Sequence, residues 1–290
     1  MEVLRSEWQV LVGFWDEATA LNFARGQGVS LSTEGFEALK VKIDAARDYA
    51  GRLPDRRNDL PEILPFSQSE AESVKELEAE ATFQEHIQGM RKWEFGWVEL
   101  SKALVFQPSL NTSYVDSLVK LAPSEDRRLE TIHFCLPQTK KAASKLVTQG
   151  FDSTSNTFSI VTDNLDFRIL GQVQGEEQES GRKFAGFAYG GGLPQMSVVE
   201  YRGRFFLKNG YHRAFALHKA GHRRVPCLVL HTDNYAMTGA QAAGFFALDT
   251  MLSERAPRLE DFDSSAAVPI PRRILRVMIT VHAERVIFAV

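Results

Sequence analysis

The chain has 290 residues, 44% of them hydrophobic and 24% charged, and its formal net charge is -3. This length is ample for a buried core in one large domain or two smaller ones. The 20 phenylalanines and the near balance of charge exclude an intrinsically disordered chain, which has few aromatic residues and a strong charge imbalance.

Two further features concern the cellular compartment. The two cysteines, Cys135 and Cys227, cannot build a disulfide framework. The segment Met1–Trp8 lacks the basic start and apolar stretch of a signal peptide. No apolar run approaches the roughly 18 residues that span a bilayer. We therefore expect a cytoplasmic protein that does not enter a membrane.

The first 93 residues are predicted to be mainly helical. Trp8–Phe14 has the composition of a short strand, and a helix is expected over Asp16–Arg25. Thr33–Leu53 carries apolar residues on one face of an amphipathic helix. Ser69 and Glu72 have the spacing of a capping box, which predicts the start of another helix.

The middle of the chain changes its hydrophobic period and predicts a mixture of strands and helices. Strands are expected over Trp93–Leu104, Leu129–Leu136, Phe158–Val161 and Phe167–Val173, and helices over Thr112–Leu121 and Pro137–Gln149.

A clear succession of elements follows in the segment 196–230. Met196–Tyr201 and Arg204–Leu207 form a predicted hairpin, and Lys208-Asn-Gly210 is a second turn. A helix is expected over Tyr211–Ala220, followed by a buried strand at Val225–Leu230. This order places Asn209-Gly-Tyr-His-Arg213 on the first turn of a helix.

The same segment is strongly basic. Between Tyr201 and Thr232 there are seven Lys or Arg residues and four of the seven histidines, but no Asp or Glu. A basic segment in an acidic protein is a candidate anion site. The alternative is a solvated helix face that happens to be basic.

The turn at Gly210 has the chemistry of a phosphate site. A helix N-terminus presents unpaired N–H groups and the positive end of the helix dipole. Gly210 allows close approach of a ligand, Arg213 can fork two phosphate oxygens, and His212 can donate a further hydrogen bond. The alternative is that Arg213 pairs with a carboxylate and that His212 is a structural histidine.

A longer pattern surrounds this turn. It consists of a glycine-led loop, the hairpin, the Gly-x-His-Arg turn, a helix with alanine and a strand that opens with Val-Pro, at Gly192–Gln195, Met196–Leu207, Gly210–Arg213, Tyr211–Ala220 and Val225–Val229. The pattern resembles the ParB/sulfiredoxin-like superfamily. Trp97–Pro108 and the helix after it resemble the opening strand and helix of that superfamily. The resemblance covers residues 94–231, with an insertion at about 123–185.

The resemblance implies an α+β fold with a small mixed-sheet core that binds the phosphates of ATP or CTP, with magnesium left open. By position, Gly210, His212 and Arg213 would contact phosphate, with Lys208 nearby, and the loop with Gly191 and Gly192 would lie beside the nucleotide. Tyr211 stands where sulfiredoxins carry a cysteine, so reduction of a sulfinic acid is not expected.

Several functions remain open from the sequence. The leading one is phosphoryl transfer or hydrolysis of a phosphodiester or nucleotide, with His212, Arg213 and Glu200 as candidate catalytic residues; Asp166 is a further candidate acid, base or magnesium ligand. A second is a DNA- or RNA-binding module that uses the basic segment 202–224. A third is a non-catalytic scaffold in a multiprotein assembly. No metal-ligand pattern is complete, so no resident metal site is predicted.

The last part of the chain, 232–290, is predicted to add a helix and two strands. The helix is expected over Ala236–Ser253, and the strands over Leu275–Val281 and Arg285–Val290. Such apolar strands either join the sheet or pair with another chain, so a protein partner or a homo-oligomer is left open. The predicted architecture is thus a helical N-terminal region, 1–93, a core domain, 94–231, and a C-terminal extension.

Overall fold

The computed structural model describes residues 5–26, 32–137, 147–162, 167–177, 181–190, 195–242, 244–273 and 276–284. Helices and mixed sheets occur together, which confirms the predicted α+β class. The chain divides into two compact units. The first unit comprises Met1–Gln138 and Pro194–Ile274, and the second unit comprises Thr139–Leu193 and Leu275–Val290. The division into 1–93, 94–231 and 232–290 stays a prediction.

The described α-helices all belong to the first unit. They are α1 (Glu17–Gly26), α2 (Thr33–Gly51), α3 (Gln68–Glu78), α4 (Ala81–Ile87), α5 (Thr112–Val119), α6 (Arg128–Cys135), α7 (Tyr211–Lys219) and α8 (Leu248–Leu252). Short 3-10 helices cover Val12–Phe14, Leu100–Lys102, Tyr235–Thr238 and Leu259–Asp263. None of these described helices is both long and apolar enough to cross a membrane.

The strands, in chain order, are β1 (Arg5–Val10), β2 (Ile63–Pro65), β3 (Lys92–Val98), β4 (Ser109–Asn111), β5 (Val147–Asp152), β6 (Thr157–Thr162), β7 (Arg168–Glu176), β8 (Lys183–Gly190), β9 (Ser197–Tyr201), β10 (Arg204–Asn209), β11 (Val225–His231), β12 (Val268–Arg273) and β13 (Val277–His282). The predicted hairpin at β9 and β10, the helix α7 and the strand β11 are confirmed.

The main sheet of the first unit has the order β10-β9-β11-β3-β2. β11 runs parallel to β9 and antiparallel to β3, so it has a strand on each side. Its run Val-Pro-Cys-Leu-Val-Leu is buried throughout, as expected for a strand covered on both faces. A smaller sheet with the order β12-β1-β4 completes this unit.

The second unit consists of strands in its described part. A three-stranded sheet has the order β13-β6-β5, and β7 and β8 form a separate two-stranded ribbon. β13 pairs antiparallel with β6, from Val277 opposite Thr162 to His282 opposite Thr157. The predicted strand at 275–281 is therefore confirmed as part of a sheet of this chain, whereas Arg285–Val290 lies outside the described residues.

One predicted strand is wrong, because Leu129–Leu136 contains the helix α6. The β-branched Thr131 and Ile132 favour a strand by composition. The burial of this segment, however, follows helical spacing. Ile132 and the residues three and four positions later, Cys135 and Leu136, are all buried, and α6 packs against β11. Tertiary packing of this apolar face has overridden the local preference.

The predicted helix over Ala236–Ser253 is also wrong. In the described part of this segment, 236–242 and 244–253, the chain has the 3-10 helix Tyr235–Thr238 and, further on, the short helix α8. Gly239 ends the 3-10 helix with a φ of 83°, in the left-handed region that stops a right-handed helix. The apolar composition of the segment suggested one long helix, but the left-handed Gly239 interrupts it.

Smaller differences concern the ends of elements. The capping box lies at Ser67 and Glu70, two residues before the predicted pair, and Glu70 is also held by Arg128 through a bond of 2.6 Å. The first strand ends at Val10 rather than at Phe14. Of the predicted helix over 137–149, residues 138–146 lie outside the described residues, and 147–149 belong to β5.

Gly13 lies in close contact with the backbone of α2. A Cβ added at Gly13 would lie 2.6 Å from the carbonyl oxygen of Ala46 and 3.0 Å from that of Ala266. Both neighbours are backbone atoms, which cannot rotate away. The backbone N–H of Gly13 also donates to the Ala266 oxygen over 3.0 Å. Only glycine fits at this contact.

We predict that Gly13→Ala lowers the free energy of unfolding by about 1–3 kcal/mol, the usual cost of overpacking a core. Gly51→Ala is the matched control, because no atom lies within 4 Å of a Cβ added at Gly51 in the last turn of α2. That variant should be neutral or slightly stabilising, since alanine favours helix. Urea denaturation of both variants tests this, and equal stabilities would contradict it.

Candidate functional site

The turn that begins α7 has the geometry that the sequence predicts. Gly210 has a φ of 92° and precedes the first residue of α7 directly. A Cβ there would lie 2.8 Å from the Cγ of Met196. The side chain of Asn209 holds the turn, because its Oδ1 accepts the Gly210 N–H at 2.8 Å and its Nδ2 donates to the Gln195 oxygen at 2.9 Å. Position 210 therefore requires glycine for conformation and for space.

Tyr211 anchors the first turn of α7 in the core. Its hydroxyl oxygen accepts hydrogen bonds from the backbone N–H groups of Phe106, at 3.2 Å, and Gln107, at 3.4 Å. Burial raises the pKa of the phenol, so the hydroxyl stays protonated. The residue at the position of the sulfiredoxin cysteine is thus part of the packing.

His212 is engaged with the small sheet. Its Nε2 accepts the backbone N–H of Asn111 at 3.2 Å, which places the ring proton on Nδ1. The ring packs against Tyr114 at 5.1 Å between centroids and lies edge-on to Trp8 at 6.3 Å. Burial lowers the pKa of His212 to about 4, so the ring is neutral at pH 7. A neutral ring already in use supplies no positive charge to a phosphate.

Arg213 lies against the end of another helix. Its Nη1 donates to the carbonyl oxygens of Phe134 and Cys135, each at 3.1 Å. These carbonyl groups belong to the last turn of α6, where no intrahelical N–H reaches them. A cation at a helix C-terminus is also favoured by the helix dipole. Arg213 therefore caps the C-terminus of α6. From the sequence, a phosphate or a carboxylate was expected as its partner, but not a helix end.

Lys208 differs from its basic neighbours. It occupies the bulge of β10 between Leu207 and Asn209, and its aliphatic chain lies close to Gly239. The side chain is half-buried, and burial lowers its pKa. Among the described residues, no acceptor or carboxylate pairs with its ammonium group. A desolvated cation without a counter-ion is unusual in a folded chain.

His86 on α4 lies near Lys208 and was not recognised as a site residue from the sequence. It is buried, and neither ring nitrogen has a hydrogen-bond partner within the described ranges. Burial, together with the positive charge of Lys208, lowers the pKa of His86 to about 4. Buried polar atoms of this kind call for a partner such as water or a ligand. A single histidine in a short helix carries no sequence signal for this role.

Glu200 is not brought to the Gly210 turn. In the β9–β10 hairpin it lies opposite Phe205, whereas Ser197 lies opposite Asn209. Three strand residues therefore separate it from the turn, a distance of about 10 Å. Its carboxylate accepts the Gly203 N–H at 2.6 Å and contacts His231 at 3.3 Å. The three predicted catalytic residues thus face different neighbours, and a joint catalytic role stays a prediction.

Three further candidates lie outside the described residues: Gly191, Gly192 and Asp166. The described part of the chain resumes at Gln195, whose backbone oxygen accepts the Asn209 amide. The end of the glycine-led loop therefore contacts the turn.

The basic segment 202–224 does not form one continuous charged face. Four of its seven basic side chains bond to carbonyl or carboxylate groups of the fold, namely Arg204, Arg213, Lys219 and Arg224. Arg202, Lys219 and Arg223 are exposed, and Lys219 pairs with Asp116. This distribution does not favour a nucleic-acid interface, which presents many cations to a row of phosphates.

The two cysteines and the potential metal ligands form no further candidate site in the described part of the chain. Cys135 and Cys227 are fully buried. Burial raises the pKa of the Cys135 thiol to about 12 and that of Cys227 well above its ordinary value, so neither forms a thiolate readily. Within the described ranges, no group of three or more His, Cys, Asp or Glu side chains is arranged to hold a metal ion.

Comparison with known proteins adds no assignment: no family model, curated protein or solved structure matches the chain. The resemblance to the ParB/sulfiredoxin-like superfamily therefore rests on the residues of the hairpin, turn, helix and strand alone.

Arg213→Ala is predicted to lower the free energy of unfolding by roughly 1.5–3 kcal/mol, because it removes a charged donor from the carbonyl groups of Phe134 and Cys135, of which the second also accepts the Met196 N–H. Arg213→Lys should restore part of this stability, since an ammonium also bonds carbonyl oxygen. Chemical denaturation measures both variants. An Arg213→Ala protein as stable as the parent would contradict the capping role.

The lowered pKa values of His212 and His86 lead us to predict a loss of stability in mild acid. Each has a pKa of about 4 in the folded chain against an ordinary value of 6.5. Between these values the unfolded chain binds more protons, so stability is complete above pH 6.5 and falls as the pH drops towards 4. The melting temperature measured from pH 7 to pH 4 should show this fall.

A substitution of His212 separates its contribution to the pH dependence of stability from that of His86. His212→Gln keeps an acceptor for the Asn111 N–H and removes the titrating ring, so it should reduce the pH dependence and remain more stable than His212→Ala. An unchanged pH profile in His212→Gln would show that His212 is not responsible.

Proposed function

We propose that the chain binds a nucleotide, ATP or CTP, through its phosphates at the turn between Lys208 and α7. Lys208 supplies the positive charge, the first backbone N–H groups of α7 supply donors, and His86 supplies a neutral hydrogen-bonding group beside the lysine. In this proposal Gly210 allows close approach, whereas His212 and Arg213 position the helix.

The observation that carries the proposal is the absence of a counter-ion for Lys208 among the described residues. Burial disfavours the charged ammonium group, and Coulomb attraction to a phosphate would offset that cost. The N-cap residue is glycine, so no side chain caps the first turn of α7. Backbone N–H groups at a helix N-terminus bind phosphate in many proteins.

The proposal is limited to binding and positioning of the nucleotide. No carboxylate in the described ranges contributes to the pKa of Lys208 or His86. A general base for phosphoryl transfer or phosphodiester hydrolysis is therefore not assigned. The resemblance to the ParB/sulfiredoxin-like superfamily supports the choice of ATP or CTP. Whether magnesium is needed for binding is decided by the experiment below.

The key variant is Lys208→Met, which keeps most of the side-chain volume and removes the charge. It should weaken nucleotide binding by about tenfold or more, because a charge-assisted contact is lost. It should also leave the melting temperature of the ligand-free protein unchanged or raise it, since an unpaired half-buried charge has been removed. Isothermal titration with ATP, CTP and GTP, with and without magnesium, measures the affinity.

The matched control is Lys219→Met, which removes the same charge from the far end of α7, where Lys219 pairs with Asp116 at 3.4 Å. Nucleotide affinity should not change in this variant. The proposal fails if the parent chain binds none of the three nucleotides, or if both lysine variants weaken binding equally.

A further inference from the structure

Lys208 occupies an irregular position in its strand. Leu207 lies opposite Val198 and Asn209 lies opposite Ser197, so Lys208 is the extra residue of a β-bulge in β10. A bulge re-aims the side chain that it carries, and bulges are frequent next to active sites. The direction of the Lys208 side chain is therefore set by the bulge and not by the regular alternation of the strand.

The surroundings of the Lys208 side chain are apolar. A Cβ added at Gly239 would lie 3.9 Å from the Cγ of Lys208 and 3.8 Å from the Cζ of Phe106. The two residues before Lys208, Phe206 and Leu207, are fully buried. Lys208 itself is half-buried, so a small molecule can still reach it. Shielding from water disfavours the charged ammonium group, and this burial lowers the pKa of Lys208.

The neighbouring groups do not restore the charged form. Among the described residues, no carboxylate forms a salt bridge with Lys208 or raises its pKa. The nearby His86 is neutral at pH 7, because its pKa is about 4, and its ring nitrogens have no hydrogen-bond partner in the described ranges. A lysine shielded from water and from carboxylates is the kind that acts as a nucleophile in proteins.

Other lysines of the first unit have ordinary surroundings. Lys40 pairs with Glu17 at 3.2 Å and Lys102 pairs with Asp59 at 2.9 Å, and in both cases the carboxylate raises the pKa of the lysine. Lys120 is exposed to solvent. Lys208 therefore differs from these lysines in its geometry, which combines partial burial with the lack of a carboxylate partner.

We propose that Lys208 is a nucleophilic amine that forms an imine with a small aldehyde. The lone pair of Nζ attacks the carbonyl carbon, and a C–N bond forms. The carbonyl oxygen takes up the two protons that the amine nitrogen gives up and leaves as water, so that a C=N bond remains. No oxidant or reductant is needed. An aldehyde is favoured over a ketone because one substituent of its carbonyl carbon is only hydrogen, and access to Lys208 is restricted.

Trapping of the imine on the full chain tests this proposal. The chain is incubated at pH 7 with propanal and sodium cyanoborohydride, which reduces an imine to a stable amine, and peptide mass mapping identifies the labelled lysines. Lys208 should be labelled severalfold faster than the exposed Lys120 and than Lys219, which pairs with Asp116 at 3.4 Å. Without the reductant no label should persist, because an imine hydrolyses. Labelling of Lys208 no faster than that of Lys120 would overturn the proposal.

Two variants of His86 test the role of the missing carboxylate. His86→Glu introduces a carboxylate near Lys208, which favours the ammonium form and should slow the labelling of Lys208 severalfold. His86→Gln is the matched neutral control and should keep the rate of the parent. Melting temperatures show whether both variants are folded, and labelling of Lys120 should be the same in each. Equal labelling of Lys208 in the two folded variants would contradict the proposal.

This inference goes beyond nucleotide binding at the same lysine and does not require it. A bound phosphate would favour the ammonium form, so saturating ATP should slow the labelling of Lys208 and leave that of Lys120 unchanged. Fast labelling of Lys208 in a chain that binds no nucleotide would support the imine and exclude the nucleotide. Nucleotide binding that depends on Lys208, together with labelling no faster than at Lys120, would do the reverse.

Discussion

The left-handed glycine that packs against Met196 is the constraint on which the first unit depends. Gly210 fixes where α7 begins and how it is turned. Successive residues of a helix are rotated by about 100°, so Tyr211, His212 and Arg213 point in three directions. They reach the backbone N–H groups of Phe106 and Gln107, the N–H of Asn111 and the end of α6. One helical turn thereby joins the segment at Phe106 and Gln107, the small sheet and α6.

In this arrangement the histidine and arginine of the Gly-x-His-Arg turn have a structural role. The two side chains with the most obvious affinity for phosphate are occupied by carbonyl and amide groups of the chain itself. What stays available for an anion is less conspicuous: Lys208 on a β-bulge and a helix start without a side-chain cap. In such a turn the arginine can maintain the scaffold while a neighbouring lysine provides the charge.

Local patterns predicted local structure well, as at the hairpin β9–β10, the helix α7 and the amphipathic helix α2, where period and turn residues agree. The partners of the site residues were beyond such patterns. Arg213 contacts α6, which is distant in sequence and was predicted as a strand, and Glu200 was grouped with the turn although the length of β9 separates them. The burial of His86 depends on tertiary packing, which no periodicity encodes.

The pairing of β13 with β6 has a consequence for biosynthesis. β5 and β6 leave the ribosome well before β13, the strand that covers the other side of β6. Until β13 has been made, β6 presents a row of unsatisfied backbone groups, the kind of edge that recruits strands from other molecules. Completion of the second unit therefore waits for the synthesis of β13, and until then its nascent sheet would be the natural place for a chaperone to act.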